Sequence, residues 1–123
     1  MKYLALIYGD ASRWDAFSEA EKEAMYDTYR AFADEARDAG VLVAGAELGS
    51  TRDATTVRVR AAETLVTDGP YAEVKEGLGG YFVLECASDG EALDWAARIP
   101  GAQHGAVEVR PIYVDPNEEG AAA

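Results

Sequence analysis

Three charged side chains around one turn-and-strand segment are the candidates for proton-transfer chemistry in this sequence. Asp68 stands in an Asp-Gly-Pro turn, and Lys75 and Glu76 precede a glycine-rich entry into the apolar run 81–84. A charged group held where a loop enters a buried strand can act as a general acid or base, or bind a polar ligand. The alternatives are a turn residue that caps backbone amides for Asp68, and a surface or subunit-interface ion pair for Lys75 and Glu76.

Aromatic side chains form a second candidate site, for a small-molecule ligand. Four tyrosines are expected to converge between a sheet and a long helix: Tyr8, Tyr26, Tyr29 and Tyr81. Trp14, in the segment before that helix, could cover the same cleft. Stacking surface combined with hydroxyl donors suits an aromatic metabolite. Core packing of the tyrosines, and a hydrophobic staple at the start of the helix, are the alternatives.

Other common chemistries lack the residues that they need. His104 is the single histidine and has no partner at metal-ligand spacing, and Cys86 is the single cysteine, which excludes an intrachain disulfide. Cys86 lies in an apolar strand pattern, where a buried structural thiol is expected. The glycines at 77, 79 and 80 lead into a strand rather than a helix, so they do not form a phosphate-binding loop. The sequence therefore predicts no metal site and no cofactor.

The charge balance excludes further classes of partner. The chain carries 23 acidic and 11 basic residues, a formal net charge of −12. This field repels nucleic acid and anionic membrane surfaces. No window approaches the roughly 18 apolar residues of a membrane helix, and the apolar start of the chain is too short for a secretion signal. A cytoplasmic protein without nucleic-acid or membrane partners is expected.

Hydrophobic periodicity and capping signals divide the chain into alternating strands and helices. Ser18 and Glu21 form a capping box for a helix that ends at Gly40, and Ser88 and Glu91 form a second capping box. The predicted elements are a strand over 2–8, a loop over 11–17, a helix to about 39, a strand over 41–48, a hairpin over 55–60 and 64–67, a strand over 81–86, a helix to about 98 and a strand over 106–113. Residues 1–113 are predicted to form one domain and residues 114–123 a flexible tail.

This order predicts an α+β fold, a ferredoxin-like β-α-β-β-α-β sheet with an extra β-hairpin. Right-handed crossovers place both helices on one face of the sheet. Three of the strands, over 2–8, 41–48 and 81–86, are nevertheless apolar on both faces. A second subunit is the simplest cover for the open face, so a homodimer through that face is predicted.

Several segments resemble the YCII-related family. They are the opening run 1–10, the Gly-Val-Leu-Val-Ala-Gly run 40–45 and Thr-Thr-Val-Arg at 55–58. The run Asp-Gly-Pro-Tyr-Ala-Glu at 68–73 is similar to the signature of the DGPF branch, in which phenylalanine usually replaces Tyr71; the runs 91–96 and 105–112 also fit that branch. The resemblance spans about residues 1–112 and implies a dimeric α+β barrel.

The resemblance implies less about activity. Some YCII-like proteins carry a His-Asp pair proposed as an active site, but the long helix of this chain has no histidine. DGPF-type proteins are often encoded beside extracytoplasmic-function sigma factors, which implies a regulatory or stress-linked context. The first hypothesis is therefore a small-molecule-binding dimer in such a context. The alternative is a cofactor-independent enzyme that performs acid/base chemistry on a small aromatic or lactone-like metabolite.

Overall fold

A computed structural model describes residues 1–72 and 75–117. Within that part of the chain the strands are β1 (Lys2–Gly9), β2 (Leu42–Glu47), β3 (Thr55–Arg60), β4 (Glu63–Asp68), β5 (Gly77–Glu85) and β6 (Ala106–Pro111). Four of them form an antiparallel sheet in the order β2-β5-β1-β6, and β3 pairs with β4 in a separate hairpin. This order is ferredoxin-like, so the predicted fold class, including the extra hairpin, is confirmed.

Helices α1 (Ala11–Asp15), α2 (Glu19–Asp38) and α3 (Asp89–Ala97) connect the strands, together with short 3-10 turns at Thr51–Asp53 and Pro100–Gln103. The helix α2 follows β1, and α3 follows β5, as the predicted order requires. None of the described helices is both long enough and apolar enough to cross a bilayer.

The capping signals fix where the two long helices begin and end. The Ser18 hydroxyl accepts from the Glu21 amide at 3.1 Å and the Glu21 carboxylate accepts from the Ser18 amide at 3.1 Å, so the first capping box is confirmed. Gly40, just past the end of α2, has φ 73°, a left-handed conformation that suits glycine.

The start of α3 differs from the predicted capping box in one bond. The Ser88 hydroxyl accepts from the Glu91 amide at 3.2 Å, as expected. The Glu91 carboxylate instead accepts from the Ala87 amide at 3.1 Å, one residue before the predicted donor. The second capping box is therefore only half correct, since the Glu91 carboxylate accepts from the amide before Ser88.

The core lies between α2, α3 and one face of the main sheet. Its buried residues are Tyr3, Ala5, Phe32, Ala36, Val41, Leu84, Cys86, Ala92, Trp95, Ala96 and Ile99. The Phe32 ring joins the layers, with ring centroids 5.1 Å from Phe82 of the sheet and 6.3 Å from Trp95 of α3. Cys86 is buried as predicted, and burial raises the pKa of its thiol, which disfavours the reactive thiolate.

The opposite face of the sheet carries a second set of apolar side chains. In the β1–β5 register Leu4 pairs with Val83 and Leu6 pairs with Tyr81, and these residues alternate with the buried core positions. All four side chains are only half-buried in the single chain. The homodimer predicted to cover this face stays a prediction.

The sequence-based prediction did not include two local conformations, the short helix α1 and the left-handed turn of the hairpin. The segment predicted as a loop over 11–17 begins with α1, because the Asp10 carboxylate accepts from the Ser12 amide at 2.9 Å and caps the helix. At the tip of the hairpin Ala61 and Ala62 have φ 51° and 64°, the left-handed values of a tight two-residue turn.

The described part of the predicted tail, residues 114–117, contains no helix or strand. The rest of that tail, residues 118–123, lies outside the described residues, as do positions 73 and 74 in the loop before β5.

Candidate functional site

Nearly all of the predicted site residues lie at one edge of the main sheet. By edge we mean the side where strands begin or end, and not an outer strand. Because β1 and β2 are both antiparallel to β5, their carboxyl ends meet the amino end of β5 there. The β6 strand, also antiparallel to β1, begins at the same edge. The segments that meet at this edge are α1, the Thr51–Asp53 turn, the loop before Gly77 and the Pro100–Gln103 turn.

Two of the predicted tyrosines lie on α2 and feel the charge of a carboxylate, Glu47, that the site prediction did not include. The Tyr26 hydroxyl donates to Glu47 Oε1 at 3.0 Å, and this hydrogen bond is the main cause of the raised pKa of Tyr26. Tyr29, one helical turn further along α2, is half-buried. Burial raises its pKa, a hydrogen bond with the Gly101 backbone opposes that increase, and the negative charge of Glu47 makes a smaller contribution that raises it. Glu47 therefore acts electrostatically on both phenols.

Trp14 closes one side of this group. Its ring meets the Tyr26 ring edge to face, with centroids 5.4 Å apart and an interplanar angle of 81°. An ion pair between Asp15 and Arg52 at 3.2 Å holds the end of α1 to the Thr51–Asp53 turn. Trp14 thus contacts Tyr26, and its predicted part in covering a ligand site stays a prediction.

A glycine, Gly80, lies in the sheet next to Glu47. In the sheet Gly80 pairs with Ile7 of β1 and with Glu47 of β2. It therefore lies on the face of the sheet that packs against the helices. The three atoms nearest to a Cβ built on Gly80 all belong to the backbone of Ala46 and Glu47. Gly80 therefore adds no side chain to the space between Glu47 and Ile7. We call the group of Trp14, Tyr26, Tyr29 and Glu47 above Gly80 the tyrosine–carboxylate cleft.

The other two predicted tyrosines lie on the opposite face of the sheet. Tyr81 pairs with Leu6, and the Tyr8 hydroxyl lies 3.5 Å from Glu108 Oε1 on the same side. The expectation that four tyrosines converge in one cleft is wrong, because side chains alternate between the two faces of a strand. Tyr8 and Tyr81 are therefore separated from Tyr26 and Tyr29 by the sheet itself. Their part in ligand binding stays a prediction.

The charged loop lies at the same edge of the sheet. Glu76 Oε2 is 3.1 Å from a Cβ built on Gly105, which places this carboxylate beside the turn that enters β6. Hydrogen bonds from Ser12 are the main cause of the lowered pKa of Asp10, and the nearby charge of Lys75 lowers it further. Lys75 and Glu76 are both exposed.

Asp68 belongs to a different sheet from its predicted companions. It is the last residue of β4, pairs with Thr55 across the hairpin and is exposed. Gly69, the next residue, has φ 105°, which fits the predicted glycine-dependent turn. A catalytic function of Asp68, Lys75 and Glu76 stays a prediction.

Glu47 is the residue that the site prediction missed. The sequence does contain a signal, since Glu47 is the one charged residue in the otherwise apolar run 41–48. Its partner Tyr26 is 21 residues away, so only the packing of α2 against β2 reveals the pair.

An open hollow of about 290 Å³ lies elsewhere, between the second half of α2 and β2. Its lining residues are Ala33, Arg37, Leu42, Val43, Ala44, Gly45 and Phe82. None of the predicted site residues is among them. The described residues contain no group of three histidine, cysteine or acidic side chains arranged to hold a metal ion, and His104 is exposed.

The sequence matches a known protein family and a known protein. The YCII-related domain matches residues 1–114. An uncharacterised protein of Rhizobium meliloti (strain 1021) is 41% identical over 114 residues, which is 91% of this chain and 92% of that protein.

Proposed function

Because the chain belongs to the YCII-related family, whose matched relative has no stated activity, we propose a function from the site itself. The protein is a small-molecule-binding homodimer, and its ligand occupies the tyrosine–carboxylate cleft. The observation that carries this proposal is the hydrogen bond from Tyr26 to Glu47, made while the Tyr26 ring packs against the Trp14 ring. Aromatic walls with a few converging polar groups are the usual composition of a small-molecule site.

Solvent exposure distinguishes this cluster from core packing. Tyr26 is 38% exposed although its ring meets Trp14 and its hydroxyl is hydrogen-bonded. A core tyrosine would be covered on all sides. A flat ligand that stacks on these rings would bury that exposed surface and could hydrogen-bond to the free oxygen of the Glu47 carboxylate.

The homodimer forms part of the proposal because the open sheet face is apolar. Leu4, Leu6, Tyr81 and Val83 lie together on it and are only half-buried. Burying such a patch against a second copy is favourable by about 25 cal/mol for each Å² of apolar surface. Sedimentation equilibrium at micromolar concentration should give twice the monomer mass. A monomer under these conditions would contradict this part.

The finer family assignment and the biological context are also proposals. The Asp-Gly-Pro-Tyr-Ala-Glu run at 68–73 supports membership of the DGPF branch. Through that branch, we propose a regulatory or stress-linked function beside a sigma factor. Loss of the gene should then change expression of the genes that the sigma factor controls.

A metabolite screen by thermal shift tests ligand binding directly. A ligand at about 100 times its Kd stabilises the folded state by about 2.7 kcal/mol, enough to raise Tm by several degrees. Tyr29→Phe should weaken binding of the hit compound about tenfold. Tyr113→Phe is the matched control, since Tyr113 is 86% exposed and far along the chain. A hit that binds Tyr29→Phe and Tyr26→Phe as tightly as the parent would place the ligand outside the cleft and contradict the proposal.

A cofactor-independent enzyme is the second candidate function. It is favoured by the charged groups at the same edge of the sheet. There the positive charge of Lys75 helps to lower the pKa of Asp10, and the Glu76 carboxylate lies beside Gly105. If Glu76 transfers a proton, Glu76→Gln should lower kcat by about 100-fold or more with little change in KM. An unchanged kcat in Glu76→Gln and in Lys75→Ala would exclude these two side chains from the chemistry.

A further inference from the structure

We infer that the tyrosine–carboxylate cleft selects an organic cation, an ammonium group carried on an aromatic or apolar body. This inference rests on the proposed function, because it assigns a chemical class to the ligand of the same cleft. It depends on three features of the described residues: an available carboxylate oxygen, two ring surfaces at right angles, and cations that already have partners of their own.

The carboxylate of Glu47 is the charged group that the cleft offers. Its Oε1 accepts from the Tyr26 hydroxyl at 3.0 Å, and Oε2 has no hydrogen bond from the described residues. A carboxylate that receives one neutral hydrogen bond keeps its negative charge and can accept a charge-assisted bond from an ammonium group. The phenol of Tyr26 donates one neutral hydrogen bond and therefore does not neutralise the carboxylate.

The behaviour of the two phenols indicates the sign of the local potential. Glu47 contributes to the raised pKa of Tyr26 through its hydrogen bond and its charge. It also contributes to the raised pKa of Tyr29, after the larger effect of burial. Burial opposes a charge of either sign, but the contribution of Glu47 has the sign that opposes an anion and favours a cation, while the charge of Arg30 acts in the opposite direction on Tyr26.

The rings of Trp14 and Tyr26 supply surfaces that favour a cation. They stand at 81° to each other with centroids 5.4 Å apart, so they form two walls of a corner. The faces of aromatic rings attract ammonium groups within about 6 Å, and Trp is the strongest of them. The Lys22 ammonium already lies 5.7 Å from the centroid of the Trp14 ring, so this ring attracts a cation and a bound ligand would share it with Lys22.

Neighbouring cations of the protein already have carboxylate partners on the same helix. Lys22 pairs with Glu19 at 3.8 Å, and Arg30 pairs with Asp27. Neither pairs with Glu47, so the Glu47 carboxylate is available to a ligand. The net charge of −12 adds a long-range attraction for cations that salt will weaken.

Calorimetric titration of the parent protein with three matched probes tests the inference. The probes are 2-phenylethylammonium, 3-phenylpropionate and 2-phenylethanol, which share a phenyl group and differ in charge. We expect the ammonium to bind at least tenfold more tightly than the carboxylate and the alcohol. Its affinity should fall as ionic strength rises.

Two variants and one control separate the charge of Glu47 from other effects. Glu47→Gln should weaken ammonium binding at least tenfold, and Tyr26→Phe should keep it, because the carboxylate then loses only its internal donor. Glu63→Gln, which removes an exposed carboxylate in the hairpin, should bind like the parent. Circular dichroism confirms that each variant is folded.

The outcomes distinguish the inference from the proposed function. Equal or tighter binding of 3-phenylpropionate, or unchanged ammonium affinity in Glu47→Gln, overturns the assignment of a cation. If such a non-cationic compound loses affinity in Tyr29→Phe, the cleft still binds a small molecule and the proposed function stands. If none of the three probes binds, the inference is wrong, and the metabolite screen decides the proposed function by itself.

Discussion

Two tyrosine–carboxylate pairs lie at opposite ends of the main sheet and have different surroundings. The Tyr3 hydroxyl donates to Asp89 Oδ1 at 2.6 Å, and the Tyr26 hydroxyl donates to Glu47 Oε1 at 3.0 Å. Tyr3 is 2% exposed and belongs to the buried core, whereas Tyr26 is 38% exposed at the rim of the cleft. The same two chemical groups therefore join β1 to α3 in one case and form part of an open site in the other.

The comparison teaches that solvent access and neighbouring residues separate a structural pair from a candidate binding pair. Around Tyr3 the core is filled by large side chains such as Leu84 and Ile99, so no space is left for a ligand. Around Tyr26, the strand position beside Glu47 is a glycine, and the Tyr26 ring keeps exposed surface although it packs against Trp14. We call the end of the sheet at Tyr3 the closed end and the end at Tyr26 the open end. Changes at the closed end should alter stability, and changes at the open end should alter ligand binding.

Leu84→Ala should give the largest effect, at the closed end. Leu84 is fully buried and pairs with Tyr3 across the strands, so truncation leaves a cavity. We expect a loss of about 3 kcal/mol in the free energy of unfolding by urea denaturation. Leu93→Ala on the exposed side of α3 is the control and should change it by less than about 0.5 kcal/mol. Similar losses in both variants would mean that the burial of Leu84 is not what stabilises this end.

Gly105→Ala should give an intermediate effect, at the open end. A Cβ on Gly105 would lie 2.1 Å from the Tyr8 carbonyl oxygen, so the backbone must move. We expect a loss of about 2 kcal/mol in chemical denaturation. At Gly90 the nearest atom to a Cβ is 3.9 Å away, so Gly90→Ala in α3 should be neutral or stabilising by about 0.5–1 kcal/mol. A neutral Gly105→Ala would show that the turn beside Glu76 adapts, and would weaken the case for a preformed site.

The smallest effect concerns pH and separates the two tyrosine pairs. The hydrogen bond to Asp89 is the main cause that raises the pKa of Tyr3 to about 12, with burial adding to it. The folded pKa lies above the unfolded value near 10, so this stabilisation is complete below about pH 10 and is lost as pH rises toward 12. Tyr3→Phe should reduce the decline in stability between about pH 9.5 and 11.5, measured by urea denaturation. The hydrogen bond to Glu47 also raises the pKa of Tyr26, but this residue is 38% exposed, so Tyr26→Phe should reduce the decline less. Equal slopes in Tyr3→Phe and the parent would contradict the assignment.

The fold was predictable because the helix-capping residues and the hydrophobic periodicity of this chain indicate the same helices and strands. The capping box at Ser18 and the glycine at position 40 bound α2 where the sequence places it. Strands with two apolar faces predicted a sheet with more apolar surface than two helices cover. The helix α1 was missed because its cap, Asp10, reads equally well as a turn residue.

The site was only partly predictable, since both faces of β1 are apolar. Tyr3, Ala5 and Ile7 alternate with Leu4, Leu6 and Tyr8, and the sequence does not say which set faces the helices. That choice decides on which side of the sheet Tyr8 and Tyr81 lie. Glu47 could be noticed as an exception in its strand, but its function depends on a contact with Tyr26 that only tertiary packing creates.

The β3–β4 hairpin has a consequence for how the molecule opens and how its sequence can change. It pairs only with itself in a separate sheet, and Val57, Val59 and Val66 remain exposed on it. Because an isolated two-stranded hairpin is marginally stable, its amide protons can exchange with solvent through a local opening that leaves the ferredoxin-like body folded. We therefore expect the hairpin to open at a lower free energy than the body. Changes in the hairpin are constrained by what that surface contacts and much less by folding of the body.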